Sequence, residues 1–330
     1  MSVASALRKP TRKPVLARRP AQRSHRLATA FSVVFGVAVL GLIAWVARKV
    51  EWTQVLSALQ ALPAGTLAAA LGVAMLSHLM YSSYDLIGRA WTGHNLPLHQ
   101  VMKITFVSYA FNLNLGSMVG AIAMRFRLYS RLGLAHDQIA RVLALSLITN
   151  WLGYAALAGG VFLLRLLAPP PEWTVSAAAL QVFGGVLWLL VAGYLAFCGL
   201  SAGRRFTVRG HVFVLPSLRI ALLQLVLSCI NWLVIAGVLY LLLQRTLPYA
   251  QVLPVFLVAV VAGLIVRIPG GLGVLEAVFV ALLSPPMAQY TVLAALLAYR
   301  AIYYLLPLLV ATVMYFVLEA KATKGAKAAR

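Results

Sequence analysis

The chain has 330 residues, of which 62% are hydrophobic and only 10% charged, yet it carries a formal net charge of +22. So few charges against so much apolar content exclude an ordinary soluble domain and point to an integral membrane protein. The positive charge would suit a nucleic-acid partner. Its Lys and Arg gather instead in tails and in loops between apolar runs, as the flanks of cytoplasmic loops do, so no nucleic-acid partner is expected.

Residues 1–26 hold eight Lys or Arg together with Pro10, Pro14 and Pro20, and read as a disordered basic cytoplasmic tail. A cleaved signal peptide would have a shorter charged region and a small-residue cleavage site, and neither is found. Apolar runs follow at 27–47, 66–87, 104–124, 141–168, 176–200, 218–243, 252–284 and 290–318, and a full span needs about 20 residues. If every run crossed once, the loops holding Arg125, Arg127 and Arg131 and Arg204, Arg205 and Arg209 would face outside. If 104–124 and 252–284 are re-entrant hairpins, then 1–26, 88–141, 201–219 and 319–330 are all cytoplasmic and hold 22 of the 28 Lys and Arg. The positive-inside rule prefers the second arrangement.

The expected fold is therefore an all-α polytopic membrane protein: about six full spans and two re-entrant helical hairpins of inverted topology, with both termini cytoplasmic. The membrane domain covers 27–318 and a second basic tail covers 319–330. Cys198 and Cys229 fall in apolar runs and read as buried thiols. Neither a disulfide framework nor metal-ligand spacing is seen, and no cofactor is expected.

Each expected hairpin carries a glycine-bearing break. In the first, Gly116-Ser-Met-Val-Gly120 lies shallow, a few residues before Arg125. Arg125, Arg127 and Arg131 follow; head-group phosphate binding is one reading, and snorkelling topology anchors the favoured one. On the second span His78, Tyr81 and Asp85 form one polar stripe with Asp85 near its cytoplasmic end, suited to a proton relay or, with more weight, to interhelical hydrogen bonds. Asn112, Asn114, Asn150 and Asn231 read as packing hydrogen bonds, with some extra weight on Asn112 and Asn114.

The second break is the chemical centre of the chain. Arg267 and Glu276 flank Pro269, Gly270, Gly271 and Gly273. Pro removes a backbone donor, glycines permit positive φ, and non-helical backbone at membrane depth survives only where protein buries it or where it lines a wet cavity. Each charge alone would cost roughly 2.5–3.5 kcal/mol or more at the bilayer centre. Arg300 lies ten residues into the last span, roughly 15 Å deep, with Tyr303 and Tyr304 at i+3 and i+4. This arrangement suits capture of a lipid phosphate. It suits equally a buried Glu276–Arg300 or Glu276–Arg267 pair that ties hairpin to helix.

The run Pro269-Gly-Gly-Leu-Gly-Val-Leu-Glu276, followed by Tyr299-Arg300-Ala-Ile-Tyr303-Tyr304-Leu-Leu-Pro307, resembles the flippase-type membrane domain of lysylphosphatidylglycerol synthase. It is most similar to the stand-alone bacterial inner-membrane proteins of that superfamily, as is Gly120-Ala-Ile-Ala-Met-Arg125-Phe-Arg127-Leu-Tyr129-Ser-Arg131. The resemblance covers about 27–318. It implies lipid translocation between leaflets of the inner membrane, with an anionic or modified phospholipid as the moved molecule. The chain ends soon after its last apolar run, so no soluble transferase domain is expected in cis. Asn231 stands where many relatives carry Asp.

Two other functions compete. One is an intramembrane lipid-modifying transferase, which would need paired acids at a membrane face. The six acids (Glu51, Asp85, Asp137, Glu172, Glu276 and Glu319) are scattered. The other is a non-transporting partner of a lipid-synthesis enzyme, docked through the basic tails.

Overall fold

The computed structural model describes residues 52–167, 176–201, 205–208, 211–266, 271–284 and 286–328. The basic N-terminal tail, the apolar run 27–47, and Arg267, Pro269 and Gly270 lie outside them. The helices are α1 (Trp52–Gln60), α2 (Ala64–Ser82), α3 (Tyr84–Thr92), α4 (Leu98–Leu115), α5 (Arg125–Arg131), α6 (His136–Leu163), α7 (Ala177–Leu200), α8 (Leu218–Leu242), α9 (Tyr249–Val266), α10 (Val274–Leu283), α11 (Gln289–Tyr299) and α12 (Leu306–Ala328). Two wider, π-helical segments, Met118–Met124 and Arg300–Leu305, join α5 and α12 to what precedes them. Between α7 and α8, β1 (Arg205–Val208) and β2 (His211–Val214) pair antiparallel, with Val208 opposite His211.

Six helical stretches are long and apolar enough to cross a membrane: Ala64–Thr92, His136–Leu163, Ala177–Leu200, Leu218–Leu242, Tyr249–Val266 and Gln289–Leu318. The chain is a multi-pass membrane protein. Five of the six are expected full spans; the sixth, α9, is the first limb of the second expected hairpin. Apolar side chains exposed on α7, such as Leu189 and Leu190, have no reason to face water and are at home against lipid tails.

The first of these stretches bends where serine hydroxyls compete with the backbone. Ser82 Oγ donates to His78 O at 2.6 Å and Ser83 Oγ to Met80 O at 2.6 Å. Such back-bonding loosens a helix locally, and α3 starts one residue later with Asp85 in its first turn. α6 and α8 are fastened by two donors onto one carbonyl: Ser228 Oγ and Trp232 Nε1 reach Asn150 O at 3.0 and 2.9 Å.

The two breaks fold their limbs back. After α4, Gly116 takes φ +84° and the chain returns beside itself. A Cβ on Gly120 would fall 1.9 Å from the Asn112 backbone nitrogen, so only a glycine permits this approach. After α9, Gly271 and Gly273 take φ +57° and +79°, and Gly263 lies against the Gly271 Cα. The first return limb runs on as helix to Arg131. That corrects the shallow break expected from the sequence, which took Arg125 for the start of a loop.

Most of the apolar core lies where α9 and α10 meet α2, α6, α8 and α11, with Ala74, Leu239, Leu257, Phe279 and Leu296 buried in it. A smaller core of Val101, Ile104, Leu128, Ile139 and Ala311 holds the first hairpin to α6 and α12.

Candidate functional site: a cavity between two hairpin tips

Both tips open onto one cavity of about 800 Å³. Gly116 and Ser117 reach it from the first tip and Gly271 from the second, and Asn150, Trp232 and Tyr303 from the helices behind. Near the tips its lining residues Leu115, Met118 and Leu264 are half or more exposed. The cavity therefore combines a partly polar interior with an apolar rim. Among the described lining residues none carries a formal charge. The intramembrane charges stand just behind the wall, in two ion pairs.

The first pair ties the second tip to the last span. Arg300 Nε and Glu276 Oε1 are in direct contact, and Arg300 Nη2 donates to Glu276 Oε2 at 3.0 Å and to Gly271 O at 3.0 Å. Glu276 Oε2 also accepts from Gly273 N at 2.9 Å, closing the first turn of α10. The side chains retain 11% (Arg300) and 19% (Glu276) exposure. Tyr304 lies beneath that guanidinium, 5.5 Å from ring centre to Cζ, a cation–π contact. Tyr303, expected on the same face, is turned away. The wider i→i+5 turn of Arg300–Leu305 keeps i+4 beside Arg300 and swings i+3 aside.

The second pair is fully buried. Arg125 Nε meets Asp85 Oδ2 at 2.9 Å with both side chains 0% exposed, and Arg125 Nη2 reaches Asp85 Oδ1 at 3.2 Å. Ser146 Oγ and Ala121 O accept further hydrogen bonds at 3.3 Å each, and Tyr129 donates to Asp85 at 2.9 Å. Arg125 is thus no snorkelling anchor: the return limb carries it inward onto α3. Arg127 is exposed beside the Tyr315 ring, 5.9 Å from its centre. Asp85 leaves the His78 stripe because the helix bends between them.

A hydroxyl cluster closes the cavity floor. Tyr303 Oη lies 2.8 Å from Ser77 Oγ and 3.0 Å from Tyr109 Oη, and Ser77 Oγ donates to Asn231 Oδ1 at 2.8 Å. Asn231 and Asn114 thus make the packing bonds expected of them, Asn114 to the carbonyls of Ala110 and Tyr304. Asn112 and Asn150 do not. Both line the cavity, and among the described residues neither side-chain amide has a hydrogen-bond partner.

The family model described as the lysylphosphatidylglycerol synthase TM region matches residues 29–311. The chain belongs to this family. It is 44% identical over 292 residues to the inner membrane protein YbhN of Escherichia coli strain K12, covering 88% of this chain and 92% of that one. It is 27% identical over 240 residues to the phosphatidylglycerol lysyltransferase of Staphylococcus haemolyticus, covering 72% of this chain but 27% of the lysyltransferase. The family assignment agrees with the resemblance carried by the Pro269–Glu276 and Tyr299–Pro307 motifs.

In this family member the structure brings together Glu276, Arg300 and Gly273 behind the part of the cavity wall formed by Gly271 and Tyr304, and Arg125, Asp85 and Gly120 behind the part formed by Gly116 and Ala121. Arg127 stands apart from both. Sequence reasoning missed the Asp85–Arg125 contact, the hydroxyl cluster around Tyr303 and the unpartnered amides of Asn112 and Asn150.

Proposed function

We propose that the protein is a lipid translocase of the bacterial inner membrane, which moves the head group of an anionic or modified phospholipid through the cavity between the two hairpin tips. The observation that carries this reading is that cavity: partly polar inside, with Asn112, Asn150 and Tyr303 in its lining, and bordered by exposed apolar side chains at the tips. A head group inside it exchanges water for fixed hydrogen-bonding groups, while the acyl chains stay among Leu115, Met118 and Leu264. A charged head group moving through bare hydrocarbon would be far costlier. The two tips are re-entrant hairpins of opposite entry in this account, an arrangement that builds sites at membrane depth.

Arg300 is the residue we assign to the lipid phosphate. Its guanidinium already faces an oxyanion, the Glu276 carboxylate, and a phosphate offers the same bidentate geometry. Exchange of one partner for the other frees Glu276 and the Gly271–Gly273 turn that it holds, coupling ligand arrival to movement of the tip. Similarity to an inner membrane protein supports the location, and similarity to a phosphatidylglycerol lysyltransferase supports a phospholipid as the moved molecule. An intramembrane transferase has less support, because Asp85 and Glu276 are each engaged by an arginine and lie on opposite sides of the cavity.

The test is reconstitution of the purified full chain into phosphatidylcholine vesicles with about one-tenth phosphatidylglycerol and a trace of head-labelled lipid. Loss of label fluorescence to an impermeant reductant should exceed the outer-leaflet half in protein-containing vesicles. A plateau at one half, with folded and inserted protein, refutes translocation.

A further inference from the structure

We infer that the cavity selects an uncharged, hydroxyl-bearing head-group moiety, a glycerol or a sugar, through the side-chain amides of Asn112 and Asn150. The inference rests on the reading that the cavity takes a lipid head group, and adds which chemistry is recognised there.

Two amides line this cavity without partners among the described residues. They come from different elements, the end of α4 and the middle of α6. Both stand on well-fixed backbone. Asn112 abuts Gly120 in the hairpin, and the Asn150 carbonyl takes hydrogen bonds from Ser228 and Trp232. Both residues are part-exposed, so a ligand that displaces water from the cavity has to supply the hydrogen bonds these amides would otherwise make to it. Each amide offers two N–H donors and one acceptor oxygen. A phosphate oxygen only accepts and an ammonium only donates, so either leaves half of each amide unserved. A hydroxyl does both, and vicinal hydroxyls serve both amides at once.

The surroundings agree. No described residue of the lining carries the formal charge that would hold an ionic moiety at this level, and the carboxylates of Asp85 and Glu276 are committed to arginines. Among the tyrosines of the lining, Tyr81 stacks on Tyr109 and Tyr299 on Tyr303. Beside Asn150, Trp151 and Trp232 lie with ring centres 6.5 Å apart, and Trp151 is 36% exposed. The electron-rich face of an indole suits the C–H edges of a polyol. The cavity volume, about 800 Å³, falls within the roughly 300–1,000 Å³ usual for small-ligand sites.

The experiment is thermal melting of the purified full chain in dodecylmaltoside micelles doped with one of four probe lipids. Glucosyl diacylglycerol has hydroxyls without phosphate, phosphatidylglycerol has both, phosphatidic acid has phosphate alone, and phosphatidylethanolamine has phosphate and an ammonium. The inference expects the first two to raise the Tm by about 2 °C or more, and the last two, which offer Arg300 a phosphate but the amides no head-group hydroxyl, to raise it by clearly less. Stabilisation by glucosyl diacylglycerol alone assigns the site to glycolipids, by phosphatidylglycerol alone to glycerol, and by both to the shared hydroxyls. Asn112→Leu and Asn150→Leu should each abolish that rise. If either variant fails to fold, Asn112→Gln or Asn150→Gln, which keeps the amide but shifts its reach, should fold and weaken it. Equal stabilisation by phosphatidic acid, or stabilisation by phosphatidylethanolamine alone, overturns the inference. A protein that binds hydroxyl-bearing lipids without translocating any leaves the inference standing and refutes the transport reading. One that translocates all four at one rate with equal melts does the reverse.

Discussion

The Asp85–Arg125 pair allows a sharp energetic prediction. Arg125→Met removes the guanidinium and strands the Asp85 carboxylate at 0% exposure with the Tyr129 hydroxyl as its remaining side-chain donor. Asp85→Leu strands the guanidinium with Ser146 Oγ and Ala121 O, both at 3.3 Å. Breaking a buried pair from one side costs about 3–5 kcal/mol, because an uncompensated charge stays behind. The double variant leaves no buried charge; its residual cost is the Tyr129 hydroxyl, now without an acceptor, at about 1–3 kcal/mol. The double should therefore be more stable than either single alone, or close to the better one, with a coupling energy of at least about 3 kcal/mol, at or beyond the upper end for residues in contact. The assay is equilibrium unfolding of the four proteins in mixed dodecylmaltoside–dodecyl sulfate micelles. Additivity of the singles within about 0.5 kcal/mol would refute the claim that the two charges hold one another in a dry site.

Three further outcomes are expected. Glu276→Gln should keep the fold, since a carboxamide can still accept from Gly273 N, but should lower translocation about tenfold or more by loosening Arg300; unchanged transport at equal abundance would remove Glu276 from the site. Gly120→Ala should abolish accumulation of folded protein, because its Cβ meets Asn112 backbone at 1.9 Å, whereas Gly72→Ala, with nothing within 4 Å, should be silent; a well-folded Gly120→Ala would contradict the close approach of the limbs. Single cysteines near residues 135 and 207, in a background without Cys198 and Cys229, should be shielded from impermeant thiol reagents in intact cells, and labelling at either position would end the two-hairpin topology.

The second tip was legible because its residues break rules that other membrane residues obey. Proline, glycines and an acid close together in an apolar run have few explanations besides a functional break, and Arg300 is too deep to be an anchor. The same reasoning misread Arg125. It follows a shorter apolar stretch and precedes Arg127 and Arg131, so it looked like the first residue of a basic loop. Only the return of the chain at Gly116, and the bend at Ser83 that presents Asp85, bring the two charges together. Both are tertiary facts without a local signature. The π-helical segments were hidden for the same reason, since hydrophobic spacing does not distinguish a single wide turn. Asn112 and Asn150 carry no charge, so nothing in their spacing separates an amide that packs from one that waits for a ligand; Asn114 and Asn231 have the same chemistry and make packing bonds, Asn114 through its Nδ2 and Asn231 through its Oδ1. The β1–β2 hairpin was masked by the arginines around it, which drew attention to topology rather than to the alternation in Arg205–Val208 and His211–Val214.

The claim on which the account depends is that the head group passes between the tips. The direct measurement is translocation in vesicles before and after that passage is plugged. Ser117→Cys, at the first tip and exposed to the cavity, is reacted with a bulky maleimide in the background without Cys198 and Cys229. Leu189→Cys, on the lipid-facing surface of α7 and 73% exposed, is reacted in the same way as a control. The account predicts that the adduct at position 117 slows translocation at least tenfold and that the adduct at position 189 leaves it unchanged. Undiminished translocation with position 117 fully modified would contradict it.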